Sequence, residues 1–127
     1  YTSSCASTLS QRAALKIFTP EGRTAIEKQR QLLKSNCDLL CEWIETKMGR
    51  PYIRPQGAFY LMLSVGDLKQ DSSKISMELL QDGVATIPGS AFGERGEGFL
   101  RLSFACDRKQ IEEGMARVKL GLDRLSG

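Results

Sequence analysis

Phe99-Leu100-Arg101-Leu102-Ser103-Phe104-Ala105 is the stretch whose reading decides the fold. Leu100, Leu102 and Phe104 fall on one side and Arg101 and Ser103 on the other, the period of a strand with one buried face. That face needs a covering layer. Directly downstream, Asp107 and Gln110 make a capping-box pattern, and Ile111, Met115, Val118, Leu122 and Leu125 form the buried stripe of a final helix. Upstream, the loop 89–98 carries glycines at 89, 93, 96 and 98, and before it Val84 to Ile87 reads as a brief strand ended by Pro88-Gly89. The loop has no room for a crossover helix, so these two strands are expected to be antiparallel.

Farther upstream, Pro55-Gln56-Gly57 is a turn and Ala58 to Val65 reads as a strand. Phe59, Leu61, Leu63 and Val65 share one face, and Tyr60, Met62 and Ser64 the other. A polar loop, 66–73, leads to a short helix with Ile75, Leu79 and Leu80 inward and Gly83 as its stop. Ile26, Leu33, Cys37, Leu40, Ile44 and Met48 recur at helical spacing and predict a long helix over 24–48, ended by Gly49. Near the start, Ser7 is a candidate N-cap for a helix carrying Leu9, Ala13, Ala14 and Ile17, stopped by Thr19-Pro20-Glu21-Gly22. The sum is an α+β two-layer sandwich: a small, mostly antiparallel sheet of about three strands with helices on one face, preceded by a long helix. A helix of that length often bridges two lobes.

At 127 residues, 41% hydrophobic and 26% charged, the chain fits one soluble globular domain. No apolar run approaches the ~20 residues of a spanning helix. The net charge of +3 comes from interleaved signs rather than a basic stripe with aromatics, which argues against nucleic-acid binding. There is no histidine, so neither His catalysis nor His metal ligation is available. Cys37 and Cys41 lie one helical turn apart without a second close pair, so no zinc site is expected, and a bridge between them has poor geometry. Free thiols in a reducing cytoplasm are the expected state of Cys5, Cys37, Cys41 and Cys106. The uncharged Ser/Thr-rich start lacks an apolar signal core. Tyr1 in place of an initiator methionine suggests a piece of something longer.

Arg101 is the residue in which chemistry concentrates. Its planar fork matches a carboxylate with two parallel hydrogen bonds. The alternatives are pairing with a neighbouring acid or exposure on a solvated sheet face. The glycine-rich loop lacks the order and the Lys-Ser/Thr of a phosphate loop, and a strand follows it, so a flexible connection that can line a pocket is expected. Ser72-Ser73-Lys74 reads as a capped helix start with a solvated lysine. Asp67, Asp71 and Asp82 lack the alternation of a calcium loop.

Three ordered motifs carry a resemblance. Pro55-Gln56-Gly57-Ala58-Phe59-Tyr60, Gly83-Val84-Ala85-Thr86-Ile87-Pro88-Gly89-Ser90-Ala91-Phe92-Gly93 and Gly98-Phe99-Leu100-Arg101-Leu102-Ser103-Phe104-Ala105 resemble the C-terminal part of class I/II aminotransferases, fold-type I enzymes dependent on pyridoxal 5'-phosphate (PLP). Bacterial aspartate aminotransferases are the nearest. Tyr1-Thr2-Ser3-Ser4 and Ser10-Gln11-Arg12-Ala13-Ala14-Leu15 resemble the segment leading out of the large cofactor domain. The resemblance implies that residues 1–22 end the large PLP-binding domain and that 23–127 form the small domain with its interdomain helix. It implies that Arg101 grips the substrate α-carboxylate and that Phe59 lies near the substrate pocket.

The same resemblance implies amino-acid and 2-oxo-acid substrates, aspartate-like in kind, and a cytoplasmic homodimer. The lysine and the other groups that hold PLP belong to the upstream domain, so this chain is expected to carry no catalytic or cofactor-binding residue and to be inactive alone. Two rival readings stand beside this one. One is a free-standing carboxylate-binding or interaction module. The other is the same domain of another fold-type I PLP enzyme, an acyltransferase or lyase.

Overall fold

The computed structural model describes residues 5–127. The Tyr1-Thr2-Ser3-Ser4 part of the resemblance lies outside the described residues. The chain divides into two compact units, Tyr1–Lys34 and Ser35–Gly127.

In the first unit, helix α1 (Thr8–Ala14) runs into a 3-10 turn, Leu15–Phe18. Ser7 occupies the N-cap position of α1 without a side-chain cap, and only its carbonyl accepts, from Gln11 N–H at 3.0 Å. Thr19-Pro20 stops this element and also starts the next. Helix α2 (Pro20–Trp43) begins four residues earlier than the hydrophobic periodicity suggests. Proline suits the first helical position because its missing N–H has no partner there in any case. The Thr19 hydroxyl accepts from Gly22 N–H at 3.2 Å and completes the start. No side chain between residues 5 and 34 is buried, so Ile26, expected on a buried face, remains 48% exposed.

In the second unit, the last turns of α2 bury Asn36, Leu40 and Cys41. A π-helical turn (Ile44–Met48) extends the helix to Gly49, whose φ of 64° makes the left-handed stop expected of it. Strands β1 (Tyr52–Ile53), β2 (Tyr60–Ser64), β3 (Ile87–Pro88) and β4 (Phe99–Ser103) form one antiparallel sheet in the order β1-β2-β4-β3. Helices α3 (Ser72–Gln81) and α4 (Arg108–Ser126) complete the unit. The α+β architecture is therefore as expected, with one strand more.

The sheet departs from the expected strands in three places. β1 is a two-residue addition. The strand foreseen at Val84–Ile87 is confined to Ile87–Pro88, because Thr86 turns inward: its carbonyl accepts from the Ser76 hydroxyl at 2.9 Å, and its own hydroxyl donates to Ser76 at 3.0 Å. Ala58 has a φ of 59°, which breaks the alternation before β2 and leaves Phe59 exposed rather than on the core face. The Phe59 carbonyl still accepts from Phe104 N–H at 3.0 Å, so ladder bonding outlasts the regular strand.

The alternation in β4 holds. Leu100, Leu102 and Phe104 are buried with Leu61, Leu63 and Val65 of the β2 region, against Leu40, Ile44, Ile75, Leu79, Ile111, Met115, Val118 and Leu122 from the helices. Each such side chain contributes roughly 1.5–3 kcal/mol by leaving water. Leu80 departs from the expected inward face at 51% exposure, and Leu125 is only half-buried. The capping box forms as read: Gln110 N–H donates to Asp107 Oδ1 at 2.8 Å, and Asp107 N–H to Gln110 Oε1 at 3.2 Å. Asn36 reaches from α2 to the exit of β4, its amide donating to the carbonyls of Phe104 (3.0 Å) and Cys106 (2.8 Å).

Candidate functional site

Antiparallel register decides which residues share the sheet face that the helices leave uncovered. Arg101 pairs with Met62 of β2 on one side and with Ile87 of β3 on the other, and Tyr60 pairs with Ser103. Directly paired residues point the same way. Arg101, Met62, Tyr60, Ser103 and Ile87 therefore occupy one face, opposite Leu100 and Leu102.

The Arg101 guanidinium carbon lies 4.1 Å from the centre of the Tyr60 ring and 4.7 Å from that of Phe92. Tyr60 comes from the β2 side of β4 and Phe92 from the 3-10 turn (Gly89–Phe92) that follows β3. Aromatic faces attract a guanidinium through the ring quadrupole, and they hold it without using its N–H groups. Among the described residues, Arg101 has no carboxylate within ion-pair distance and no side-chain hydrogen bond. Other arginines do: Arg54 pairs with Asp38 at 2.6 Å, Arg50 with Asp67, and Arg124 with both oxygens of Asp82 at 3.0 Å. Arg101 is thus half-buried, restrained by rings and left with a free planar fork.

Phe59, the other residue singled out in the sequence, joins this group indirectly. Its ring centre is 4.3 Å from that of Tyr60, with the planes tilted by 48°. Tyr60 and Phe92 escaped notice as partners of Arg101. The strand alternation already placed Tyr60 opposite the core, but its neighbourhood with Arg101 needs the β2–β4 register.

The glycine-rich loop is a folded piece, not an open connection. It forms two 3-10 turns, Gly89–Phe92 and Glu94–Gly96, whose backbones press on each other at Gly89 and Gly96. Glu97 closes it. Its Oε1 accepts from Ser72 N–H at 2.7 Å and from Gly98 N–H at 3.1 Å, and its Oε2 accepts from the Ser72 hydroxyl at 3.0 Å. These bonds, the one from the Ser72 backbone foremost, hold the Glu97 carboxyl below the usual carboxylate range. Serine 72 is fully buried, and its oxygen lies 3.3 Å from Ser90 Oγ.

Partial burial, with Cys41 beside it, pushes the Cys37 thiol up to about 11, and burial raises Cys106 as well. All four cysteines are free. Among the described residues no group of three or more His, Cys, Asp or Glu is placed to hold a metal ion, and no helix is long and apolar enough to cross a membrane.

No family model matches the chain. Individual proteins do. The probable N-acetyl-LL-diaminopimelate aminotransferase of Bacillus subtilis (strain 168) is 40% identical over 121 residues, which is 94% of this chain and 30% of that protein. The aspartate aminotransferase of Pyrococcus abyssi is 35% identical over 121 residues, again 94% of this chain and 31% of that one. The crystal structure of an aminotransferase from Mycobacterium tuberculosis superposes with a TM-score of 0.85 at 36% identity, over 94% of this chain and 32% of that one.

Over 94% of its length the chain is homologous to part of known aminotransferases. It spans about 30% of the length of the curated relatives it matches. Within the second unit the sheet has one face covered by helices and one they leave open, and the free fork of Arg101 lies on the open one. Lys74 does not complete a cofactor site on this domain: it is 75% exposed on the side chain and faces Asp71 at 3.9 Å. The glycine-rich loop folds onto its own backbone and presents no cradle for a phosphate. Neither Lys74 nor the glycine-rich loop, as placed here, fits PLP.

Proposed function

We propose that this chain is the C-terminal substrate-clamping domain of a PLP-dependent aminotransferase that moves an amino group between an aspartate-like amino acid and a 2-oxo acid. The observation that carries the reading is the Arg101 fork, held by Tyr60 and Phe92 and free of any acid among the described residues. Such a fork matches a substrate carboxylate in geometry and charge. Phe59, against Tyr60, supplies an aromatic edge beside the bound molecule. The division at 1–22 and 23–127 belongs to this reading. It gives the exposed Leu9, Leu15, Phe18 and Ile26 a covering domain in the longer protein.

PLP is the cofactor of this reaction class, and it withdraws electrons from the bound amino acid when in place. It belongs to the part of the protein upstream of this chain. Arg101 contributes binding and orientation: a carboxylate seated on two N–H groups cannot rotate freely, which fixes the direction of the bond to be cleaved. The aromatic faces exclude water from one side of that contact. A cytoplasmic homodimer completes the proposal, supported by four free thiols and by the resemblance.

The test is Arg101→Lys in the full-length protein. A lysine keeps the charge and loses the fork. KM for both substrates should rise about tenfold or more, in line with the loss of a bidentate charged pair, while the PLP absorbance stays unchanged. Unaltered kinetics would overturn the assignment.

A further inference from the structure

We propose that Glu97 is a positioning residue: through Ser72 and Ser90 it fixes the turn that holds Phe92 against Arg101, and so sets the affinity of that arginine for a carboxylate. The inference rests on the carboxylate-binding reading of Arg101.

Helix α3 starts without help from its own N-cap, because Asp71 makes no side-chain cap. Glu97, far along the chain, does that work. Its carboxylate meets the Ser72 N–H at 2.7 Å, where exposed N–H groups and the helix dipole favour negative charge. An ionised carboxylate can only accept, so the Ser72 hydroxyl must donate to Glu97 Oε2 at 3.0 Å. The lone pairs of Ser72 then face Ser90, whose N–H lies 3.4 Å away and whose hydroxyl lies 3.3 Å away. Ser73 Oγ, at 3.2 Å, gives Ser90 a second contact with the same helix end. The charge of Glu97 thus sets the direction of the whole chain of hydrogen bonds.

Ser90 and Phe92 belong to one 3-10 turn, closed by Gly93 N–H donating to the Ser90 carbonyl at 3.1 Å. Where Ser90 goes, Phe92 follows. The contact between Phe92 and the Arg101 guanidinium at 4.7 Å therefore rests on Glu97, which touches neither residue. Loss of Glu97 loosens the Ser90 end of the turn and with it the Phe92 contact, leaving Tyr60 to face the guanidinium from the other side.

The experiment uses the full-length protein and succinate, a dicarboxylate that cannot react, as the calorimetric probe. Glu97→Ala should weaken succinate binding about fivefold, the scale of one lost cation–π contact at a partly exposed site. KM should rise alike, and kcat should change less than about twofold, since only binding is affected. Hydrogen exchange at the amides of residues 90–97 should speed up. Glu97→Gln keeps the length and one oxygen of the side chain, so it should fold normally and fall between wild type and Glu97→Ala.

Phe92→Ala should weaken binding too, and the double variant should be no weaker than Phe92→Ala alone, because both act through one contact. Additive losses would overturn the proposal. So would unchanged binding in Glu97→Ala while Arg101→Lys abolishes it, and that outcome leaves the carboxylate reading intact. If Arg101→Lys also leaves succinate binding intact, the carboxylate reading falls and takes this inference with it.

Discussion

Gly89 and Gly96 lie backbone against backbone, so close that a Cβ on Gly89 would sit 1.8 Å from the Gly96 carbonyl oxygen and one on Gly96 2.1 Å from that of Gly89. No side chain of any kind fits between them. The contact clamps the two 3-10 turns of the glycine-rich loop together and gives the turn bearing Phe92 its base.

Gly89→Ala should therefore move backbone rather than a side chain. A loss of about 3 kcal/mol is expected, at the upper end of overpacking costs, read from chemical denaturation. Gly93→Ala makes a steric control, since nothing lies within 4 Å of its Cβ position. The Gly93 penalty should come from its φ of 104° alone. Equal midpoints for Gly89→Ala and wild type would show that the loop has slack.

Acid should undo the cap on α3. The Glu97 carboxyl titrates below its ordinary value of 4.5, owing first to the Ser72 backbone bond. A lowered value means that the contribution is complete above pH 4.5 and disappears as the pH falls from there through the lower folded value. The Ser72 amide proton, followed by NMR, should shift in that window in wild type and stay flat in Glu97→Gln. A flat wild-type profile would remove Glu97 from the cap.

Two glycines on α4 should respond with opposite signs. A Cβ on Gly114 meets nothing within 4 Å, so Gly114→Ala should stabilise by up to about 1 kcal/mol through helix propensity. A Cβ on Gly121 would lie 2.5 Å from Leu79 Cδ2 and 2.8 Å from Asp82 Oδ2. Leu79 is fully buried and Asp82 is gripped by Arg124, so neither yields easily. Gly121→Ala should destabilise despite its better propensity. Thermal midpoints of the pair decide it.

Asn36→Ala should cost about 2 kcal/mol, since two carbonyls at the exit of β4 lose their donor. Denaturation midpoints measure it. A cost near zero would mean that water replaces the amide.

The sequence disclosed what is local. The capping box of α4 needs only Asp107 and Gln110, and the burial of β4 follows from its own alternation. Those features form as read. The long helix was visible from its apolar repeat, but its start was misplaced because Thr19-Pro20 reads equally as an end and as a beginning. β1, two residues between Pro51 and Arg54, is too short to show a period. Val84 to Ile87 reads locally as a brief strand, while Thr86 satisfies its groups through Ser76 on a neighbouring helix.

The site followed the same rule. The outward direction of Arg101 was legible from one strand. Its ring partners were not, because Tyr60 and Phe92 meet it only through the pairing of β2, β4 and β3, which no local pattern specifies. Asn36 acts across a still longer stretch of chain, 68 residues to Phe104, and Glu97 across 25 to Ser72. A polar side chain in a helix and an acid in a glycine-rich loop look like ordinary surface residues until their partners are placed.

β4 is an interior strand, hydrogen-bonded to β2 on one side and β3 on the other. A side chain on an edge strand can follow its ligand by local peeling of the backbone. Arg101 has no such freedom: shifting its Cα would break ladders on both flanks at once. Its fine adjustment is limited to side-chain torsions, and any larger approach to a ligand must carry the whole four-stranded layer as a rigid plate. For a molecule that binds there, the arginine is a fixed landmark, and the ligand or the domain does the travelling.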